Sequence, residues 1–227
     1  MREITRIGRA HLAQHGAAAL SLRAVAKDLG VVSSAVYRYV RSRDELLTML
    51  VVDAYNELAD AVDVALTVVA DEDHAGQFRA IGWAVRGWAL GEPASYALLF
   101  GSPVPDYHAP AEQTTGPGTR VIVALIRLYQ RAYDAGALRP ALDVPVGGAL
   151  HADFDTIRRD FHLTTPDAVM ARGVLAWSSL FGAVSFEVFD QYGPGTFRDV
   201  QALFAHHLAV LVAMLGFAPT GSHRPAP

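Results

Sequence analysis

The apolar residues of this 227-residue chain recur at helical spacing almost from one end to the other. Between residues 43 and 70, apolar side chains return every three or four positions, which places them on one side of an α-helix. No stretch sustains the two-residue alternation of a half-buried strand. We therefore predict an all-α protein, with helices over 2–15, 22–29, 33–40, 43–70, 75–90, 94–100, 119–135, 146–161, 165–192 and 196–216.

Composition limits the setting in which such a chain works. The chain has no Cys, which excludes disulfides and thiolate metal sites, and 52% of its residues are hydrophobic, enough for a core. The first 16 residues carry charges throughout and lack the apolar segment of a secretory signal. The charge-free stretch over 173–186 is too short to span a bilayer. We expect a soluble, cytoplasmic protein with no membrane partner.

Charge is distributed unevenly along the chain. Residues 1–50 hold eight Arg or Lys and four Asp or Glu, a net charge of +4, and the whole chain has −4, so the remainder carries −8. This asymmetry indicates that the N-terminal end meets a polyanion.

The helices over 22–29 and 33–40, joined by "GVVS", have the length and turn chemistry of a helix-turn-helix motif. The second helix of this motif enters the DNA major groove. Its small N-terminal residues allow close approach to bases, and the tyrosines and arginines around them suit phosphate contacts. The predicted DNA contacts are Arg23, Ser33, Ser34, Ala35, Tyr37, Arg38, Tyr39, Arg41 and Arg43. The alternative is a surface helical hairpin whose tyrosines cover the core.

The segment "ALSLRAVAKDLGVVSSAVYRYVRSRDELL" resembles the DNA-binding part of the TetR family of one-component regulators. The likeness covers about the first 50 residues and depends on Val25-Ala26, Gly30-Val31-Val32, Tyr37 to Val40 and Arg43. Three positions depart from the family pattern: Val32 replaces a Ser, Val40 a Phe, and Arg43 a Lys.

A weaker likeness extends to the rest of the chain. "ASYALLFGSPVPDY" and "LAWSSLFGAVSFEVF" resemble a TetR subgroup with a Trp-His-Gly signature in its C-terminal domain. Trp177 and Gly182 match that signature, but Phe181 stands where the His would be, so a role for that His cannot be transferred.

The resemblance implies a small-molecule site in the C-terminal part. Aromatic residues on several helices would form an apolar pocket if they converged, although aromatic side chains at helical spacing more often belong to an ordinary core. Because no charges cluster among them, we expect a neutral, apolar effector. The predicted ligand contacts are Trp83, Trp88, Tyr96, Phe100, Tyr129, Tyr133, Trp177 and Phe181.

No metal, cofactor or enzyme motif emerges from the sequence. His151 and Asp155 share a helix face, and His162 or His207 would have to complete a metal site; a polar face with a helix salt link is the preferred interpretation. We expect no metal and no cofactor.

The last two helices are apolar on broad faces, which favours burial in a two-fold dimer with Phe186, Phe189, Phe204, Leu208 and Leu211 at the interface.

We predict a three-helix DNA-binding domain over 1–46, a helical ligand-binding and dimerisation domain over 47–217, and a disordered tail over 218–227. The predicted function is a ligand-responsive transcriptional repressor that binds double-stranded operator DNA; activation remains open. A helical small-molecule-binding protein or enzyme that does not recognise DNA sequence is the alternative.

Overall fold

The computed structural model describes residues 1–139 and 144–217, and within these ranges the regular structure is helical, with no strand. The all-α prediction is confirmed. The predicted disordered tail over 218–227 lies outside the described residues. A short 3-10 turn (Ala17–Ala19) follows the first of the helices, which are α1 Arg2–His15, α2 Leu22–Asp28, α3 Ser33–Tyr37, α4 Arg43–Leu66, α5 His74–Gly91, α6 Pro93–Phe100, α7 Ala111–Asp134, α8 Gly148–Phe161, α9 Asp167–Val188 and α10 Val200–Leu215.

Helix α7 begins earlier than the sequence indicated. The segment over 101–118 was expected to be a loop because of its Pro and Gly residues, but α7 starts at Ala111 and runs through Pro117. The missing backbone N–H of a helical Pro costs one hydrogen bond, which contacts elsewhere on the helix can offset. Arg120 supplies such contacts, since its Nη2 donates to Asp60 Oδ1 at 2.8 Å and its Nη1 to Asn56 Oδ1 at 3.3 Å.

The described chain divides into two compact units. The first contains residues 1–61 and 87–121, and the second contains 62–86 and the rest from 122 onward. Helices α4, α5 and α7 continue from one unit into the other. The functional boundary at residue 46 stays a prediction, since compactness groups 47–61 and 87–121 with the first three helices.

The core of the first unit lies directly under the helix-turn-helix motif. Val25, Val36, Val40, Leu46 and Leu47 are all at most 1% exposed. They come from α2, α3, the turn after α3 and the start of α4. Helix α3, the second helix of the motif, therefore rests on a filled apolar base. Gly30, at φ +70°, makes the turn between the two motif helices, a backbone conformation that side chains disfavour.

The core of the second unit is formed where α5, α9 and α10 meet. Leu180 and Leu208 are at most 1% exposed, and Gly82 of α5 lies so close that an added Cβ would stand 2.5 Å from Leu208 Cδ2. Glycine at this position therefore allows the close helix packing.

Beside that contact, Arg86 of α5 forms a two-pronged ion pair with Glu187 of α9, with Nε donating to Oε2 at 2.7 Å. Both side chains are 13% exposed, and the guanidinium carbon lies 5.5 Å from the ring centroids of Trp83 and Phe204. The sequence gave no sign of this pair, because 101 residues separate its members.

Helix α9 extends beyond the charge-free stretch over 173–186. It is a single helix of 22 residues, and in the described chain it is the one helix that has the length and composition of a membrane span. Only 28% of that apolar window is buried within the chain, so α9 presents apolar side chains at the surface.

Candidate DNA interface and effector cavity

We call the predicted DNA-binding part of the chain, residues 1–46, the head. The predicted DNA contacts lie on its outside. Tyr37 and Tyr39 are 44% and 60% exposed, and Arg23, Arg38 and Arg41 are exposed as well. None of these three guanidinium groups has a hydrogen-bond or ion-pair partner within the described chain. Unpaired cations beside exposed phenols, on a helix fixed by a buried base, form a surface suited to a phosphate backbone.

The N-terminal end of α3 is open to close approach. Ser34 is exposed, while Ser33 and Ala35 are partly buried. The short helix begins at Ser33 with Val32, 71% exposed, as its N-cap, and no side chain caps it. The departure of Val32 from the family Ser therefore removes a side-chain cap and leaves the first backbone N–H groups of α3 without one.

Arg43 has a second task besides the predicted phosphate contact. Its Nη2 donates to the carbonyl oxygens of Ala17 and Ala18 at 3.2 and 3.3 Å. The guanidinium thus ties the start of α4 to the 3-10 turn after α1, and Arg43 is only partly exposed.

The predicted cap of α4 is present with one change. Ser42 Oγ accepts from the backbone N–H of Glu45 at 3.1 Å, as a capping box requires. The Glu45 carboxylate, however, accepts from the backbone N–H of Arg41, one residue before the cap. The same residues therefore fix the chain just beyond the recognition helix.

Sequence reasoning missed a contact within the head between α1 and α2. His11 Nε2 lies 2.6 Å from Asp28 Oδ2, and the His11 side chain is only 8% exposed. A separation of 17 residues matches no local motif, so only the fold reveals the pair.

The second unit contains a cavity of about 170 Å³. Its walls come from α5, α7, α8, α9 and the end of α10, and they are almost entirely apolar. Residues that line it include Phe78, Ile122, Leu125, Ile126, Tyr129, Ile157, Met170, Gly173, Ala176, Trp177 and Leu215.

The polar groups of this cavity are mostly occupied by the protein itself. The Tyr129 hydroxyl donates to Leu215 O at 2.7 Å, and burial raises the pKa of Tyr129, which keeps the phenol protonated. Gln130 is bonded to Asp134 and Thr164. The Trp177 indole N–H and the Thr165 hydroxyl have no partner within the described chain. A molecule here would find apolar contact and at most two free donors.

The eight predicted ligand aromatics do not share one site. Tyr129 and Trp177 line the cavity, and the Phe181 ring lies 6.4 Å from that of Trp177. Trp83 packs on Phe204, with ring centroids 5.1 Å apart, and Tyr133 is partly buried away from the cavity wall.

Three of the eight belong to the first unit, where they form an aromatic cluster. The Tyr96 ring lies 4.9 Å from Phe100 and 6.5 Å from Trp88, and Tyr96 is fully buried. The indole N–H of Trp88 is buried and has no hydrogen-bond partner among the residues that the structure describes. Of the eight predicted contacts, two line the cavity, three form this cluster, and Trp83, Tyr133 and Phe181 belong to neither group.

His151 and Asp155 form the predicted helix pair, 3.3 Å apart, and His151 Nδ1 lies 2.6 Å from Asp167 Oδ2. No group of three or more potential metal ligands occurs among the residues that the structure describes. The imidazole is bonded to carboxylates that also bind arginine, which is the salt-linked polar face of the preferred interpretation.

The five predicted dimer contacts divide by exposure. Phe186 and Phe189 are 47% and 37% exposed, whereas Phe204, Leu208 and Leu211 are at most 8% exposed within their own chain. Phe204, Leu208 and Leu211 therefore belong to the core of their own chain and are not on the exposed apolar face of α9 and α10. The large apolar residues that α9 and α10 expose are Val174, Leu175, Trp177, Phe186 and Val210.

An exposed helix-turn-helix head joined to an all-α unit with an apolar cavity defines a helical DNA-binding regulator class. Models of two families match the chain: "Bacterial regulatory proteins, tetR family" over residues 4–50, and "Tetracyclin repressor-like, C-terminal domain" over residues 78–211. The HTH-type transcriptional regulators Rv1816 of Mycobacterium tuberculosis and Mb1846 of Mycobacterium bovis are each 46% identical over 213 residues, covering 94% of this chain and 91% of theirs.

Solved structures agree with the family models. The structure of the regulatory protein SCO4313 is similar at a TM-score of 0.75 and 33% identity, covering 93% of this chain and 94% of that one. A Rhodococcus sp. RHA1 protein of unknown function has a TM-score of 0.71 at 21% identity, covering 95% and 94%, which shows the shared fold. The chain belongs to the TetR family and is a transcriptional regulator, so the enzyme alternative is set aside.

Proposed function

We propose that this protein is a dimeric repressor that leaves its operator when a small, neutral, mainly apolar molecule enters the cavity of the second unit. The observation that carries the proposal is the cavity itself: about 170 Å³ with apolar walls and its main polar groups already bonded. An apolar cavity of similar size engineered in another protein stays dry and binds benzene. A charged effector would find no counter-charge among the lining residues.

Operator binding would use the exposed face of the head. Phosphate contacts would come from Arg23, Arg38 and Arg41, which have no partner in the described part of the chain, and Tyr37 and Tyr39 would add hydroxyl groups. Since few long side chains stand at residues 33–35, part of the specificity would come from DNA shape.

Dimerisation would use the apolar surface of α9 and α10. Helix α10 contains no Asp, Glu, Lys or Arg, and its outward positions include Ala202, Ala205, Ala209 and Ala213, all exposed in the monomer. Small residues let helices approach closely, and a four-helix interface from two copies would cover this face. The same burial accounts for the apolar length of α9 in a cytoplasmic protein.

A ligand screen tests the proposal directly. Neutral aromatic and aliphatic molecules are added to the full chain, and the unfolding temperature is recorded; a binder raises it by mass action. Each binder is then added to the complex with DNA from upstream of the protein's own gene. Release of the DNA supports the repressor, tighter binding supports an activator, and no retardation of that DNA or of neighbouring promoters contradicts the regulator mechanism.

A further inference from the structure

Helix α8 forms one wall of the cavity but has little core of its own. Ile157 lines the cavity, and Leu163 and Thr165 from the following segment line it too. Phe154 is the one buried residue of α8, and most of the other α8 side chains are exposed. A helix with so small a buried face depends on its polar contacts to stay in place.

Those polar contacts converge on the first residue of α9. Asp167 Oδ2 lies 2.6 Å from His151 Nδ1, and Asp167 Oδ1 lies 2.7 Å from Arg158 Nη1. Asp155 completes the group from within α8, at 2.6 Å from Arg158 Nη2 and 3.3 Å from His151 Nε2. We call these four residues, His151, Asp155, Arg158 and Asp167, the catch.

Arg158 of the catch contacts two residues of the cavity wall. Arg158 Nη1 also donates to the carbonyl oxygen of Thr165 at 3.2 Å and lies 3.2 Å from Met170 Sδ. Thr165 and Met170 both line the cavity. Displacement of Arg158 would therefore release the helix and loosen the wall together.

We propose that α8 is the door of the cavity and that the catch holds this door closed. The inference rests on the proposed function, because a door matters only if the cavity takes a ligand. The other walls come from α5, α7, α9 and the end of α10, and these helices bury Phe78, Leu128, Ala132, Ala176, Leu180 and Leu215 at 2% exposure or less. Helix α8 is thus the wall that opens with the smallest loss of core packing.

The geometry also makes the catch sensitive to pH. Both ring nitrogens of His151 face a carboxylate, so only the protonated imidazole donates to both Asp155 and Asp167. The hydrogen bond to Asp167 and the charge of Asp155 raise the pKa of His151, while Arg158 opposes them. The extra hold is complete below the ordinary pKa of about 6.5 and is lost as pH rises through the raised value of the closed state.

Amide hydrogen exchange of the full chain tests the catch. In Arg158→Gln, we expect the α8 amides to exchange roughly two- to fivefold faster than in the wild type, a range typical of exposed ion pairs. Arg159→Gln is the matched control, because Arg159 follows Arg158 on α8 and, among the described residues, its side chain bonds to Asp155 O and Thr156 within the same helix. Peptides of α10 report any global loss of stability.

The kinetics of benzene exchange, measured by NMR line shape, test the door. Faster binding and release in Arg158→Gln, with an unchanged Kd and with wild-type rates in Arg159→Gln, support it. Equal benzene rates in all three proteins overturn the door alone. If benzene does not bind the wild type, the apolar effector site itself fails, and the door fails with it.

His151 variants give a second readout. His151→Lys keeps the positive charge, so its α8 exchange, referred to α10, should vary little between about pH 6 and about pH 8.5, whereas the wild type should lose protection. In His151→Gln, the α8 amides should exchange at both pH values as fast as those of the wild type at the higher pH. A wild-type ratio that does not change with pH overturns the part of the imidazole in the catch.

Discussion

The residues proposed to bind DNA lie on the surface of the first compact unit, whereas those proposed to bind the effector line a cavity in the second. In the first unit, Tyr37, Tyr39 and three arginines that have no partner within residues 1–139 and 144–217 lie outside a filled core. In the second unit, the useful surface is an apolar cavity of about 170 Å³ on the inside. The first arrangement suits contact with an extended phosphate backbone, and the second suits a small apolar molecule.

The largest test of this contrast is the ion pair between α5 and α9. Glu187→Ala would leave Arg86 with no carboxylate in a site where it is 13% exposed, and we expect a loss of about 3–5 kcal/mol in the free energy of unfolding. Urea titration measures it. Glu112→Ala, at an exposed position in α7, should change stability by less than about 0.5 kcal/mol. Similar losses of unfolding free energy in Glu187→Ala and Glu112→Ala would show that the Arg86–Glu187 pair contributes no more to stability than an exposed side chain does.

Filling the cavity separates ligand binding from DNA binding. Ala176 is 2% exposed and lines the cavity, so Ala176→Leu places three more carbons in the ligand space. We expect affinity for an apolar effector to fall by about 10- to 200-fold, with operator affinity unchanged. Calorimetry gives the first and gel retardation the second. Undiminished effector binding would place the site elsewhere.

A pair of glycines in α5 tests the close packing of the second unit. Gly82→Ala would put its Cβ 2.5 Å from Leu208 Cδ2, and because Leu208 is 1% exposed we expect a loss of about 1–3 kcal/mol. Gly87→Ala meets nothing within 4 Å and should be neutral or gain up to about 1 kcal/mol from helix propensity. The unfolding temperature should therefore fall in Gly82→Ala and stay unchanged or rise in Gly87→Ala, and equal decreases in both variants would contradict the packing.

The smallest effects are expected on the outside of the head. Arg38→Gln and Arg41→Gln should each weaken binding to all DNA sequences alike and reduce the salt dependence of log K by about 1. Arg198→Gln, an exposed residue of the second unit, is the control. Retardation assays across salt concentrations measure the slope. A sequence-dependent loss would instead assign the arginine to base readout.

The same contrast explains what the sequence could predict. The helix-turn-helix motif is local: Gly30, the small residues of α3 and the Ser42 cap act within a few positions, so spacing alone predicted them. The all-α class followed from the hydrophobic periodicity, and the family followed from the resemblance of residues 19–47 to the TetR DNA-binding segment. The sequence predicted Arg23, Arg38 and Arg41 as DNA contacts. Only the fold shows that these side chains have no partner among the described residues.

Contacts between distant residues could not be predicted in this way. The cavity joins side chains from five helices, so aromatic spacing on single helices selected Tyr129 and Trp177 together with Trp88 and Tyr96 of the other unit. Arg86 pairs with Glu187 across 101 positions, and no periodicity encodes that distance. The start of α7 was missed because Pro117 and its flanking glycines are typical of a turn, while the Arg120 contacts that offset them come from α4.

The most direct test of the central claim is operator affinity with and without a cavity-binding effector, in the wild type and in Ala176→Leu. Coupling between two sites in one protein usually amounts to about 5- to 150-fold in affinity. We predict that the effector weakens operator binding by the wild type within that range and leaves Ala176→Leu bound. If the effector releases both proteins equally, or releases neither, the cavity does not control DNA binding.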